Sequence, residues 1–330
     1  MAHRVQAADR LDDEEMAARA AWLHFVGGLT QSEVARRLGV PTTRAHRYIA
    51  RAQNLGLVRI SVDVAAASCV ALEEELRARY SLDFCRVAIE IPEPDGRPLR
   101  AIGAEGAKWL MQVIASRTHQ TIGVSHGRTI AAAVEAMGRI DAQGVSFVSL
   151  LGGLTRSLAA NPYDVIHRLA QKTGADAYLM PAPLFADSAE DKRVMLAQTI
   201  LADVRKRMSE ASLAVVGIGA PQKDEGSMAA VAGGGAALKR VRQAGACAEI
   251  LGQFLDADGQ ILKTPLDGLV MALPLNDLRG REVVAIVGGI EKRDAIKAAL
   301  KSGLLTGLII DEATARRLVE ERGDARAAAE

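Results

Sequence analysis

Apolar residues recur along this chain in two rhythms. Through residue 56 the period is helical. Met16, Ala20 and Leu23 share one face, Val34 and Leu38 a second, and Ala45, Tyr48 and Ile49 a third. Glycines divide these faces. Gly27-Gly28 ends a first helix expected over residues 13–26, Gly39 ends a short second one, and Gly56 lies beyond a third that follows Pro41 and runs to Asn54. Thr30 stands three residues before Glu33, the spacing of a capping box, so the second helix starts there. Residues 57–64, LVRISVDV, alternate apolar and polar positions, which predicts a strand in the position of a wing.

After a further helix at 68–82 the rhythm changes. Short, nearly continuous apolar runs fall at 84–90, 121–125, 144–152, 176–180, 213–219, 282–289 and 303–311. Helical segments fall between them, at about 98–117, 128–138, 162–173, 190–208, 291–301 and 311–321. This alternation predicts an α/β domain whose mostly parallel sheet is covered by helices on both faces. Ligands of such folds bind at the carboxyl ends of the strands. The expected organisation is a small helical domain over 1–64 and a larger α/β domain over 65–330.

Within the first domain, Ala35 is small where two helices must cross closely, and Gly39 permits a tight turn. Val34, Leu38, Val40, Ala45, Tyr48 and Ile49 are apolar where a helix-turn-helix packs inward. Charge sharpens the picture. Residues 29–60 carry Arg36, Arg37, Arg44, Arg47, Arg51 and Arg59 against Glu33 alone, whereas the rest of the chain is close to neutral. A helix lying between two rows of phosphates excludes acids. Arg contacts phosphates or guanine edges, and Thr and His contact base edges or phosphates. Thr42, Thr43, Arg44, His46 and Arg47 form the expected contact set, His46 on either a base or a phosphate. Arg51, one turn later, and Arg36 and Arg37 of the preceding helix are phosphate candidates, and Gln31 opens the motif. The competing reading is a solvated basic face, or one that meets an acidic protein.

Composition narrows the classes. Hydrophobic residues are 49% of the 330, enough for a sizeable core, but aromatics are only 3%, too few for the stacking platforms of single-strand binders. The three cysteines are scattered and form no CxxC, as expected of reduced thiols in a cytoplasmic protein. No stretch of about 18 uninterrupted apolar residues predicts a membrane span. No metal-ligand spacing, cofactor motif or coherent catalytic set is present, so neither a metal nor a cofactor is expected.

Three strand-to-helix turns carry the remaining chemistry. In TIGVSHGRT (121–129) backbone N–H groups of the turn and of the following helix would converge on an anion, with Arg128 and Thr129 adding a charge and a hydroxyl donor. An ordinary capped turn reads the same locally. GIGAPQ (217–222) begins like a dinucleotide fingerprint, but Gln222 stands where the third glycine belongs. In VAIVGGIEK (284–292), Lys292 sits in a first helical turn, where the dipole disfavours it, so it serves either a bound anion or an ion pair with Glu291 or another acid.

Taken together, GLTQSEVARRLGV, GVSHGRT, VSLLGG, YLMPAPLFADSAEDKRVML, AVVGIGAP, GQFLDADG, VVAIVGGIEKRDAIKAAL and GLIIDEATARRLV resemble, in order and spacing, the SorC (DeoR-like) family of sugar-responsive transcription regulators. The resemblance covers nearly the whole chain. It implies an effector domain similar in fold to ribose-5-phosphate isomerase and glucosamine-6-phosphate deaminase, and a homodimer or homotetramer. Its partners would be double-stranded operator DNA and a sugar phosphate or polyol effector. It implies effector contacts at Gly123, the loop Ser125, His126, Gly127, Arg128 and Thr129, the pair Gly152 and Gly153, and Glu249, Asp256, Gly288, Gly289 and Lys292. The chain departs from the family pattern at Ala45, His46, His126, Ala248 and Glu249, which implies an operator preference at the first two and a reshaped pocket at the others. The fold resemblance also permits an alternative, a sugar-phosphate isomerase or deaminase with a DNA-binding appendage.

Overall fold

The computed structural model of the chain describes residues 13–58, 67–93, 95–153, 165–222 and 235–327. It forms two compact units, residues 1–64 and 65–330. In the first, α1 covers residues 13–26, its last five, Trp22–Val26, in a π turn. Helices α2 (Gln31–Leu38) and α3 (Thr42–Asn54) follow. Their core is Ala17, Ala20 and Ala21 of α1, Val34 and Ala35 of α2, and Ala45, Tyr48, Ile49 and Ala52 of α3. Small side chains on all three helices let the axes approach closely. The capping box forms: Thr30 Oγ1 accepts from Glu33 N–H, and Thr30 N–H donates to Glu33 Oε2 at 2.8 Å. Gly39 closes α2 at φ 66°, and Val40 N–H reaches back to the Ala35 carbonyl at 3.0 Å. The expected strand at 57–64 lies, from residue 59, outside the described residues.

The second unit is a three-layer α/β/α fold. Its strands are β1 (Phe84–Ala88), β2 (Thr121–Val124), β3 (Ser146–Ser149), β4 (Asp176–Tyr178), β5 (Leu213–Val216), β6 (Ala248–Ile250), β7 (Gln253–Leu255), β8 (Glu282–Ile286) and β9 (Gly307–Asp311). Seven make one parallel sheet in the order β1-β9-β8-β5-β2-β3-β4. The helices are α4 (Ala67–Tyr80), α5 (Leu99–Ser116), α6 (Arg128–Ala136), α7 (Ile166–Thr173), α8 (Ala189–Leu196), α9 (Thr199–Glu210), α10 (Gly235–Gln243), α11 (Arg293–Lys301) and α12 (Glu312–Ala327). Alternate strand residues face opposite layers, as the period of 2 requires. Val124, Phe147, Val215, Val284 and Ile309 pack against α5, α6 and α7. Val148, Val216, Val283, Ala285 and Ile310 pack against α4, α9, α11 and α12. Helix α6 lies close on α5 because α5 presents Gly103 and Gly106. A Cβ on these would come within 3.0 Å of the Ala132 carbonyl oxygen and 2.8 Å of the Ala133 methyl.

Three features differ from the sequence expectation. The helix expected over 190–208 is two helices, α8 and α9, parted at Gln198, whose ψ of 135° is extended. The hairpin β6–β7 was not expected. Its two-residue turn needs positive φ at Leu251 (52°) and Gly252 (73°), and a leucine gives no signal for that conformation. Helix α10 was likewise not expected, because GGGAAL reads as a breaker.

The sheet reverses its direction of growth between β2 and β5. From β2 the chain builds outward through β3 and β4; from β5 it builds the other way through β8 and β9. A crevice at such a switch point lies outside the carboxyl ends of the two strands. Gly152, just past β3, packs beneath the loop that borders this end. A Cβ there would stand 2.5 Å and 2.6 Å from the Pro183 and Ala182 carbonyl oxygens, both backbone atoms that cannot swing aside. Gly152→Ala is expected to cost about 1–3 kcal/mol of stability, read as a lower urea midpoint at unchanged slope.

Candidate functional sites in the two units

On α3, burial and exposure divide along the helix. Ala45, Tyr48, Ile49 and Ala52 are buried, while Thr42, Thr43, Arg44, His46 and Arg47 are all exposed. Arg36 and Arg37 of α2 are exposed as well, and Gln31 is partly so. The Arg44 guanidinium lies 5.7 Å from the centroid of the Tyr48 ring, which orients it without covering it. Two expectations change. Ala45 is completely buried, so it acts on the shape of the motif and presents nothing to a ligand. Arg51 is not free in solvent: its Nη1 lies 3.7 Å from Asp13 Oδ2.

In the second unit, the loop Ser125–Thr129 leaves β2 and enters α6. Gly127 holds φ at 152°, a conformation that a side chain would resist, and Ala131 N–H is the first of α6 to bond back, to the Gly127 carbonyl. The N–H groups of the first turn have no acceptor within the helix and point out of its end. The two hydroxyls of the loop are engaged inside the fold. Ser125 Oγ accepts from Gly217 N–H at 3.0 Å and donates to the His126 carbonyl at 3.2 Å, stitching the end of β2 to that of β5. Thr129 Oγ1 donates its one proton to the Ile286 carbonyl at 2.6 Å, so it ties α6 to β8 instead of offering the expected donor to an anion. His126 Nε2 stands 3.5 Å from Ser149 Oγ, near the end of β3.

Across from this loop is the end of β8. Gly289 has φ 102°, and its N–H donates to Asp311 Oδ2 at 2.9 Å. Asp311 is buried at the end of β9, and its other oxygen accepts from the N–H and hydroxyl of Thr314. A Cβ at Gly288 would collide with Ile102 and Asp311, so this turn is held tightly. It delivers Lys292, whose Nζ donates to the Ile218 carbonyl at 3.0 Å. Burial, then the charge of Arg128, pushes the Lys292 ammonium below its ordinary pKa. Glu291 and Glu249 oppose this, and Arg97 adds to it from the segment before α5. Lys292 thus feels the positive charge of both Arg128 and Arg97.

Glu249 completes the site. Its backbone forms both bridge hydrogen bonds with Gly219, each 2.9 Å, and its Oε1 accepts from Gly252 N–H at 2.6 Å. The carboxyl lies against Gly219, which has no room for a side chain. Burial pushes the Glu249 pKa up, against the pull of the Gly252 N–H and of Lys292.

Several expected effector residues do not join this group. Gly123 lies inside β2, and a Cβ there would run into Leu150, so it is a packing glycine. Gly152 and Gly153 give their N–H groups to the Met271 and Ala182 carbonyls. Asp256 closes the turn after β7, where Oδ1 accepts from Asp258 and Gln260 N–H. That turn is fastened by Lys301, which pairs with Asp258 at 2.9 Å. Lys301 ends α11 and Lys292 precedes it, so Asp256 sits beside the opposite end of a helix about 13 Å long. Asp311 and Arg97 were missed. The spacing of Asp311 and Thr314 at the end of an apolar strand is a legible cap signal; nothing local marks Arg97.

Because the Glu249 pKa is raised in the fold, its favourable contribution is full below the ordinary carboxyl value and is lost as pH rises through the folded one. Glu249→Gln keeps an acceptor for Gly252 N–H and removes the titration. The variant is expected to gain stability relative to the parent as pH rises from about 4.5, a trend that parallel thermal melts across pH measure.

A sugar-binding domain family model matches residues 64–320. The erythritol catabolism regulatory protein EryD of Brucella abortus (strain 2308) is 46% identical over 307 residues, spanning 93% of this chain and 97% of EryD. The transcriptional regulator LsrR of Enterobacter sp. (strain 638) is 32% identical over 321 residues, 95% of each protein. Among solved structures, the full-length sorbitol operon regulator SorC from Klebsiella pneumoniae superposes with a TM-score of 0.73 at 23% identity, covering 92% of this chain and 98% of SorC. A DeoR family transcriptional regulator from Listeria monocytogenes does so with a TM-score of 0.69 at 23% identity, covering 76% of this chain and 99% of its own. These two share the fold. The family match spans the α/β unit, and the EryD likeness extends over the helix-turn-helix as well. The chain belongs to the SorC/DeoR-like family of sugar-binding transcriptional regulators.

Proposed function

We propose that this protein regulates a carbohydrate or polyol catabolic operon, reading duplex operator DNA with α3 and binding a sugar phosphate or polyol in the crevice at the carboxyl ends of β2, β5 and β8. The division of α3 carries this reading. Its apolar residues are spent on the helix-turn-helix core, while threonines, arginines and His46 leave it together, with no acid among them. Such a face suits the major groove: Thr42, Thr43, Arg44, His46 and Arg47 toward the bases, Arg36 and Arg37 toward phosphates. The protein acts as a homodimer or homotetramer, because paired recognition helices match paired half-sites.

For the effector, the name of EryD points to erythritol catabolism. This supports a short polyol, or its phosphate, for the present chain. Three cations at one crevice, with the N–H groups of α6, favour a ligand that carries an anionic group; Glu249 suits its hydroxyls. Ser125, Gly127, Gly288 and Gly289 then act by holding the two loops in place. Effector binding alters DNA occupancy only through a difference in affinity between two states. The relatives are regulators, and the reading involves no turnover.

Arg44→Ala is expected to weaken operator binding by about five- to 150-fold, from the loss of about 1–3 kcal/mol at a bidentate base contact, as measured by fluorescence anisotropy on the duplex upstream of its own gene. An unchanged Kd and sequence preference would remove α3 from the groove. A thermal-shift screen of sugar phosphates and polyols is expected to give a hit that Arg128→Ala abolishes. A shift that survives intact in the variant would place the effector elsewhere.

A further inference from the structure

We infer that Asp13 withholds Arg51 from the DNA backbone, acting as an internal counter-charge that positions α3 and limits sequence-independent affinity. The inference rests on the reading of α3 as the DNA-facing helix. One carboxylate, at the start of α1, grips two successive turns of α3. Its Oδ1 accepts from the Tyr48 hydroxyl at 3.2 Å, and its Oδ2 faces Arg51 Nη1 at 3.7 Å. Among the described residues, Arg51 is the only arginine of α3 with a carboxylate within ion-pair distance. Arg44 and Arg47, on the same helix, are exposed and have none.

The posture of Arg51 agrees. Its Nε is buried and has no hydrogen-bond partner, so the stem lies down against the unit toward Asp13 instead of reaching outward. A buried N–H without a partner is unfavourable, and the fold keeps Arg51 in this posture beside Asp13. The two side chains keep 39% and 41% of their exposure. A pair so open to water is worth little in itself, but it holds Arg51 inward, so a DNA phosphate has to displace Asp13 to reach it. Asp13 therefore sets whether the helix has one more cation available for the backbone.

Each phosphate contact on duplex DNA steepens the dependence of log K on log salt by about 0.9. The probe is a labelled mixed-sequence duplex, bound by the full chain across a salt series. Asp13→Asn keeps an acceptor for Tyr48 and removes the charge. It is expected to bind about three- to tenfold more tightly at low salt, with a slope steeper by about 0.9. In an Arg51→Ala background the same substitution is expected to change neither quantity, and Arg51→Ala alone to leave the parental slope as it is. Tyr48→Phe, which removes only the hydroxyl bond, is expected to leave the slope unchanged as well.

Three outcomes overturn the inference. Equal tightening with and without Arg51 means a general field effect of one acid. A flatter slope in Arg51→Ala alone means that Arg51 already sits on a phosphate, a result that stands even where Asp13→Asn misfolds. No change in Asp13→Asn means that Arg51 stays out of reach. Failure of the underlying reading looks different: the parent does not bind the duplex, or Arg44→Ala binds it as the parent does.

Discussion

The hydrogen bond from Thr129 Oγ1 to the Ile286 carbonyl joins the two loops at the switch point of the α/β unit. It fastens the first turn of α6 to the end of β8, two strands away across the sheet. Two of the charged groups at the switch point flank that span: Arg128 on one side of it, and Lys292, after the Gly288-Gly289 turn, on the other. Ser125 adds a second tie, to Gly217 at the end of β5, and Asp311 a third, to Gly289. Loops that border a ligand are ordinarily the softest part of such a fold. Here buried hydroxyls and one buried carboxylate tie them to the strand ends.

That frame carries an electrostatic cost. Arg128 and Arg97 act against the charged form of Lys292, as burial does. Glu249 and Glu291 relieve this only in part, and Glu249 is itself raised by burial. The first unit uses charge in the opposite sense. Its exposed arginines cluster on one face, and Asp13 restrains the one at the rear of α3.

Much of this was legible from residue order. The capping box at Thr30 and Glu33, the glycine that closes α2, and the inward set of the helix-turn-helix follow from local rules that involve residues within one turn of each other. The seven strands of the main sheet were legible because doubly covered strands read as apolar runs. The β6–β7 hairpin was not, because a leucine with positive φ is stabilised by what surrounds it, and the break between α8 and α9 has no proline or glycine to announce it. The family resemblance implied a wider set of residues than the group around Lys292: Gly123 packs against Leu150, Gly152 and Gly153 bond to the Met271 and Ala182 carbonyls, and Asp256 closes a turn. A motif by itself does not separate packing roles from binding roles.

Sequence alone determined the division into a helical unit and an α/β unit, the chemistry of the α3 face, and the glycine-rich turns at the strand ends. These depend on periodicity, on caps and on net charge, all of which are properties of neighbouring residues. Only the tertiary structure decided that the Thr129 hydroxyl donates to the Ile286 carbonyl and so ties α6 to β8, that Lys292 feels Arg97 as well as Arg128, and that Asp13 reaches Arg51. Those are contacts between residues far apart in the chain, and strand order, which no local pattern encodes, is what brings the crevice residues together.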